Sequence, residues 1–261
     1  MSDEQYDAAL SLLRRLDPKN VSANLNSLCK IAPELAEDLL SSVDQPLGVK
    51  TCKATKKEYL TCDYNRDGDS FRSPWSGDYE PATDGPTPSA ALRKMEVLAN
   101  DSFDIYRDLY YEGGVSSVYL WDQGEGGDDT NSFAGVVLLK KTSPSSSWDS
   151  IHVFEVETSR GEGVYRVTST VILDLGAKSP KLGLSGNLTR QTEREMAVDE
   201  PAQHIANLGS IVEDVESKLR NQLQEVYFGK ARDIVGQVRS LGGVEDAKQK
   251  QRQEEVIKGL Q

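Results

Sequence analysis

The sequence predicts an α+β chain: an N-terminal helical stalk, a five-stranded antiparallel sheet covered by one long C-terminal helix, and a short amphipathic tail. Three observations carry this reading. Apolar residues recur every three to five positions from Ile205 to Leu241, the spacing of one buried helix face. Ahead of that stripe lie five runs rich in β-branched and aromatic residues, separated by short segments of turn residues. Such short connections cannot hold crossover helices, so successive strands must pair antiparallel as a meander.

Residues 1–45 are expected to form the stalk as three short helices. Tyr6, Ala9, Leu10 and Leu13 share one face, Val21, Leu25 and Leu28 a second, and Leu35, Leu39 and Leu40 a third, with breaks at Asp17-Pro18 and Ala32-Pro33. Pro33 fits a first helical turn, and Glu34 and Glu37 suit the positive end of a helix dipole. Residues 46–110 are expected as a loop-rich globule and a connecting helix. Gly, Pro, Ser and Asp dominate from Pro46 to Ser89 and predict mostly loop; Leu92, Met95, Leu98, Ala99, Phe103 and Tyr106 then mark one side of a helix.

The sheet is placed within 111–199, with strands at Val115–Trp121, Phe133–Lys140, Ile151–Glu157, Val164–Leu175 and Leu182–Gln191. Along the fourth, Tyr165, Val167, Val171, Leu173 and Leu175 alternate with Arg166, Thr168, Thr170 and Asp174, as one buried face requires. The first two strands carry apolar residues on both parities, which predicts cover on both faces.

The long helix belongs to 200–243. At 1.5 Å per residue, its Ile205–Leu241 stripe is roughly 55 Å long, whereas five strands are only about 24 Å wide. The excess predicts a helix that crosses onto a second subunit's sheet. Gly242-Gly243 is a helix-stop signal. Beyond it, residues 244–261 have nearly balanced charge and too few apolar residues for a core, with Val256, Ile257 and Leu260 forming one small apolar edge on a helix. This segment reads either as a frayed terminus or as a tethered helix that docks into a partner's groove.

A formal net charge of −12 argues against nucleic-acid or anionic-membrane binding by the surface as a whole, while leaving room for a local basic patch. The longest apolar runs, such as Phe133–Leu139, are a third of bilayer length, and the N-terminus carries acids where a signal peptide carries bases. A cytoplasmic chain that is no integral membrane protein is expected, with Cys29, Cys52 and Cys62 reduced and the sequons at Asn20, Asn100 and Asn187 fortuitous.

The search for chemistry finds little. Asp63 to Asp69 opens like an EF-hand loop, but position twelve is Pro74 where a glutamate should close the coordination shell. Asx turns are the better reading. His152 and His204 have no catalytic or metal-site neighbours in sequence, and Gly124-Glu-Gly126-Gly127 precedes no helix. No enzyme activity, cofactor or metal is predicted.

The uncommon strings are more telling. DYNRDGDSFRSPWS from Asp63, YRDLYYEGGVSSVYLWD from Tyr106, WDSIHVFEVE from Trp148, LSGNLTRQTE from Leu184 and VYFGKARDIV from Val226 closely resemble the β-subunit family of heterodimeric F-actin capping proteins (CapZ). The resemblance covers nearly the whole chain. It implies an obligate heterodimer with a capping protein α subunit, whose homologous sheet joins this one, seated on the barbed end of an actin filament in the cytoplasmic, cortical cytoskeleton. It implies a calcium-independent block to both addition and loss of subunits, with regulators of the myotrophin and CARMIL type and acidic phosphoinositides. Carried over by position, Lys218 and Arg220 fall in the family's basic actin-facing patch, and Val256, Ile257 and Leu260 stand in its apolar tail edge, where Gly259 interrupts the helix. The alternative is a scaffold or adaptor subunit in a cytoskeletal complex that does not cap.

Overall fold

The computed structural model describes residues 21–36, 46–111, 113–123, 132–143, 146–175 and 184–225, with 8, 9, 12 and 39. They belong to two compact units, Met1–Ile205 and Ala206–Gln261.

In the first unit, helix α1 (Val21–Ile31) is followed by a 3₁₀ turn at Pro33–Leu35, with Pro33 in the first turn as its missing N–H allows. Leu28, Leu35 and Leu39 close a small core here, backed by Leu25, Cys29 and Ala32. Most of the first predicted stalk helix lies outside the described residues.

The Gly- and Pro-rich stretch is more ordered than its composition predicts. Strands β1 (Gly48–Thr51) and β2 (Glu58–Thr61) form one ribbon; β3 (Arg66–Asp67), β4 (Ser70–Arg72) and β5 (Tyr79–Glu80) form another. Strands of two to four residues are too short to show an alternation, so pattern reasoning reads them as loop. Helix α2 (Ala90–Tyr110) then starts on a cap: Leu92 N–H donates to Ser89 Oγ at 3.4 Å.

The five remaining strands are β6 (Val115–Asp122), β7 (Ser132–Ser143), β8 (Ser146–Ser159), β9 (Glu162–Leu175) and β10 (Leu184–Ala197). They form the expected meander, in the order β10-β9-β8-β7-β6, every neighbouring pair antiparallel. Arg160 and Gly161, with φ of 54° and 83°, form the two-residue turn between β8 and β9, matching the twist of the hairpin. The strands outrun their predicted limits at polar ends such as Ser146–Ser150 and Thr192–Ala197. Ladder bonds continue there without a hydrophobic pattern to announce them.

Ser116–Leu120 and Phe133–Leu139 are buried without a break, as apolar residues on both parities require. One face joins Tyr119, Val136 and Leu138 to Leu47 and Leu60. On the other, Phe133 meets Phe154 edge to face. A Cβ on Gly135 would stand 2.5 Å from the Phe154 ring and 2.6 Å from Leu120, so this close approach admits only glycine.

Helix α3 (Gln203–Gln224) begins beyond Pro201 and runs into the second unit. Leu208, Ile211, Val212, Val215, Leu219 and Leu223 are buried along it, which is the first half of the predicted stripe. The second half, to Leu241, and the tail lie outside the described residues.

Candidate functional site: the ends of the sheet and the last helix

Side chains close one end of the sheet. β6 is an end strand, and Val118 N–H donates to Asn100 Oδ1 (2.9 Å) while its carbonyl accepts from Asn100 Nδ2 (2.9 Å). Leu120 N–H donates to Glu96 Oε2 at 2.7 Å. Glu96 and Asn100 are one turn apart on α2, so the helix supplies the bonds a sixth strand would supply. From β2, Leu60 N–H donates to Ser117 Oγ (2.9 Å) and its carbonyl accepts from Tyr119 OH (2.7 Å). Sequence reasoning did not single out these polar groups. The signal was there: Glu96 and Asn100 interrupt the apolar side of α2, among Leu92, Met95, Ala99 and Phe103.

The other end is different. β10 is an end strand of 14 residues, bonded to β9 and to no further strand among the described residues. Backbone groups along such an edge are a template for another strand. Its charges, Arg190, Glu193, Arg194 and Glu195, discourage indiscriminate pairing. Glu193 also meets Arg166 of β9 at 3.2 Å, and Arg166 reaches Glu157 of β8 at 3.0 Å, an exposed lattice of charge across three strands.

On α3, Lys218 is exposed and pairs with Asp214 one turn earlier at 2.9 Å. Arg220 is half-buried and meets Glu216, which is buried, at 3.5 Å. Two positions differ by about 200° around a helix, so the two bases flank the buried stripe on opposite sides. Three acids, Glu213, Asp214 and Glu216, accompany the two bases, so this stretch is net acidic. Val256, Ile257 and Leu260 lie outside the described residues.

The EF-hand-like loop is occupied with its own backbone. Asn65 is buried; its Oδ1 accepts from Cys62 N–H (2.9 Å) and its Nδ2 donates to the carbonyls of Arg72 (2.9 Å) and Leu60 (3.4 Å). Asp63 is 3.7 Å from Arg66. Among the described residues no cluster of His, Cys, Asp and Glu could hold a metal, and the three cysteines are free. Burial pushes the Cys62 thiol up to about 12. No helix of the described residues is long and apolar enough to cross a membrane.

Both histidines are built into the interior. His152 Nδ1 lies 2.8 Å from Ser169 Oγ across β8 and β9. His204 Nδ1 lies 2.7 Å from Tyr165 OH, with the ring edge-on to Phe133 at 5.1 Å. Burial holds the His204 pKa below its ordinary 6.5 because the imidazolium is poorly solvated there. The neutral ring therefore contributes stability that is fully present above the unfolded value and is lost as pH falls through it toward the folded one. In thermal melts, the deficit of His204→Gln relative to wild type should shrink as pH drops below about 6.5. A deficit independent of pH would show that the imidazole's protonation is not coupled to folding.

Residues 6–235 match the family model described as F-actin capping protein, beta subunit. An F-actin-capping protein subunit beta from Yarrowia lipolytica is 97% identical over 261 residues, covering 100% of both chains. The same-named subunit of Emericella nidulans is 55% identical over 100% of both chains, and that of Saccharomyces cerevisiae 54% identical over 100% of this chain and 99% of its own. Among solved structures, a homodimeric actin capping protein alpha subunit from Plasmodium berghei aligns with TM-score 0.55 at 16% identity, over 91% of this chain and 96% of that one. At that identity the likeness is one of fold.

Proposed function

Because this chain belongs to the F-actin capping protein beta-subunit family, we propose that it is one half of a heterodimer with a capping protein α subunit, which occupies the barbed end of an actin filament and blocks subunit addition and loss. The observation that carries this reading is the unequal closure of the sheet: Asn100 and Glu96 of α2 satisfy backbone groups of the β6 edge, while β10 offers its edge over 14 residues. A partner strand added there would extend the sheet, main-chain bonds giving affinity and the four charges of β10 selecting the partner. The heterodimer acts by steric occupation rather than catalysis, in the cytoplasmic, cortical actin cytoskeleton, under regulators of the myotrophin and CARMIL type and phosphoinositides. Calcium independence is supported by Asn65, whose side chain is committed to Cys62, Leu60 and Arg72.

Lys218 and Arg220 are proposed as basic contacts to actin, and Val256, Ile257 and Leu260 as the apolar contact of a mobile arm. Since each base has an acid one turn before it, binding would exchange an internal ion pair for an intermolecular one. The test is seeded actin assembly with co-purified heterodimer at sub-stoichiometric ratio to filament ends, with and without a calcium chelator. Arrest of barbed-end growth in both conditions is expected. Growth at the control rate by a folded heterodimer would overturn capping and leave the adaptor reading. In the same assay Lys218→Glu with Arg220→Glu should slow association about tenfold at low salt, with a smaller effect at high salt as charges are screened. An unchanged rate at low salt would remove both residues from the contact.

A further inference from the structure

An exposed flank of α2 carries a feature that the packing of the fold does not use and the proposed actin contacts do not include. Leu98, Ile105 and Leu109 are 52%, 64% and 72% exposed, on a flank about 100° around the axis from the side on which the same helix buries Leu92, Met95, Ala99 and Phe103. Steps of seven and four place the three on one stripe, about 16 Å long. Scattered exposed leucines need no explanation, but an aligned row on one helix face is the pattern of a docking surface. Asp101 and Asp108 border this stripe, with Asp104 behind them on the same flank. Arg107, reaching from the inner flank, pairs with Asp104 and Asp108 at 2.9 Å each, while Asp101 is in no ion pair among the described residues. With the exposed Lys94 one turn before Leu98, three acids stand against two bases, which leaves this side net acidic.

We propose that this face docks an amphipathic, basic helix of a partner protein, its apolar residues seated on Leu98, Ile105 and Leu109 and its lysines or arginines along the aspartate row. The straight row at helical spacing fits another helix, and the acidic border selects a basic one and repels acidic helices. The location suits a second partner. α2 stands at the β6 end of the sheet, four strand spacings or about 19 Å from β10, so an α subunit on β10 leaves the stripe accessible. In this respect the inference rests on the reading of β10 given above.

The test uses the co-purified heterodimer and a fluorescein-labelled synthetic helix with leucines on one face and lysines on the other, followed by anisotropy. A second peptide carries glutamate in place of every lysine. The lysine peptide should bind wild type, more weakly as salt rises. Binding should weaken at least about tenfold, or 1.4 kcal/mol, both in Leu98→Ser/Ile105→Ser/Leu109→Ser and in Asp101→Lys/Asp108→Lys. The glutamate peptide should bind only the charge-reversed protein. Equal binding of the lysine peptide to wild type and both variants would overturn the proposal. So would loss of the α subunit in either variant, or self-association of the wild-type heterodimer that the serine variant abolishes, since the occupant would then be the α subunit or a second copy. Capping measured on the same samples should be alike for wild type and variants. If wild type bound the peptide as described yet failed to cap, the functional reading alone would fall.

Discussion

Glu96→Gln is expected to lower the unfolding free energy of the chain by about 3–5 kcal/mol, the cost of removing one partner from a buried ion pair. Glu96 is fully buried; its carboxylate accepts from both terminal nitrogens of Arg72 (2.7 and 2.8 Å), from Arg93, and from Leu120 N–H at 2.7 Å. Arg72 is itself 3% exposed. Burial works against its charge, but the hydrogen bonds and charge of Glu96 outweigh this and hold its pKa above the ordinary arginine value. The amide of Gln can keep part of the geometry and cannot neutralise the guanidinium, so the cost is mostly that of an uncompensated cation. By the size scaling of melting temperatures the loss amounts to a shift on the order of 10 °C. Arg166→Ala, which breaks two ion pairs at the exposed surface, should barely move the transition, because water screens them. Thermal melts of the co-purified heterodimer decide the matter. An E96Q protein as stable as wild type would mean that the cluster relaxes or admits water, and that α2 is held on β6 by its apolar residues and Asn100.

The same cluster shows where sequence reading stops. The meander was legible because β-branched and aromatic runs with short turns admit little else, and half of the long helix was legible as the Leu208–Leu223 stripe. Which end of the sheet is open was not. Five strands in a row have two edges, and the contacts of Glu96 and Asn100 with Val118 and Leu120 distinguish the β6 edge from the β10 edge. Ribbons of two to four residues between Gly48 and Glu80 were hidden for a simpler reason, being shorter than one period of any pattern. For the candidate site, charge type was visible and disposition was not. Lys218 and Arg220 look like a pair in the sequence, yet helical geometry turns them to opposite flanks, each beside its own acid. Resemblance supplied the functional role of those residues, which periodicity has no means to supply.

Deletion of Val244–Gln261 is expected to leave the melting temperature of the heterodimer nearly unchanged and to raise its rate of dissociation from barbed ends tenfold or more. The deletion removes no described core residue, which is why stability should hold. Val256, Ile257 and Leu260 are the only large apolar side chains beyond Val244. Each can contribute about 1.5–3 kcal/mol if buried on actin, less the cost of ordering the segment on binding. Gly259, between Ile257 and Leu260, adds about 1 kcal/mol to that cost relative to alanine. A net gain of only 1.4 kcal/mol already corresponds to tenfold in the dissociation constant. The change should fall on the off-rate, since the rest of the heterodimer still makes the first encounter. Gly259→Ala should then lengthen the dwell time of the intact protein, as a helix that costs less to order holds longer. Single-filament microscopy measures both. Wild-type dwell times for the truncated protein would make the segment a frayed terminus, and the glycine that interrupts its apolar edge would be the physical reason.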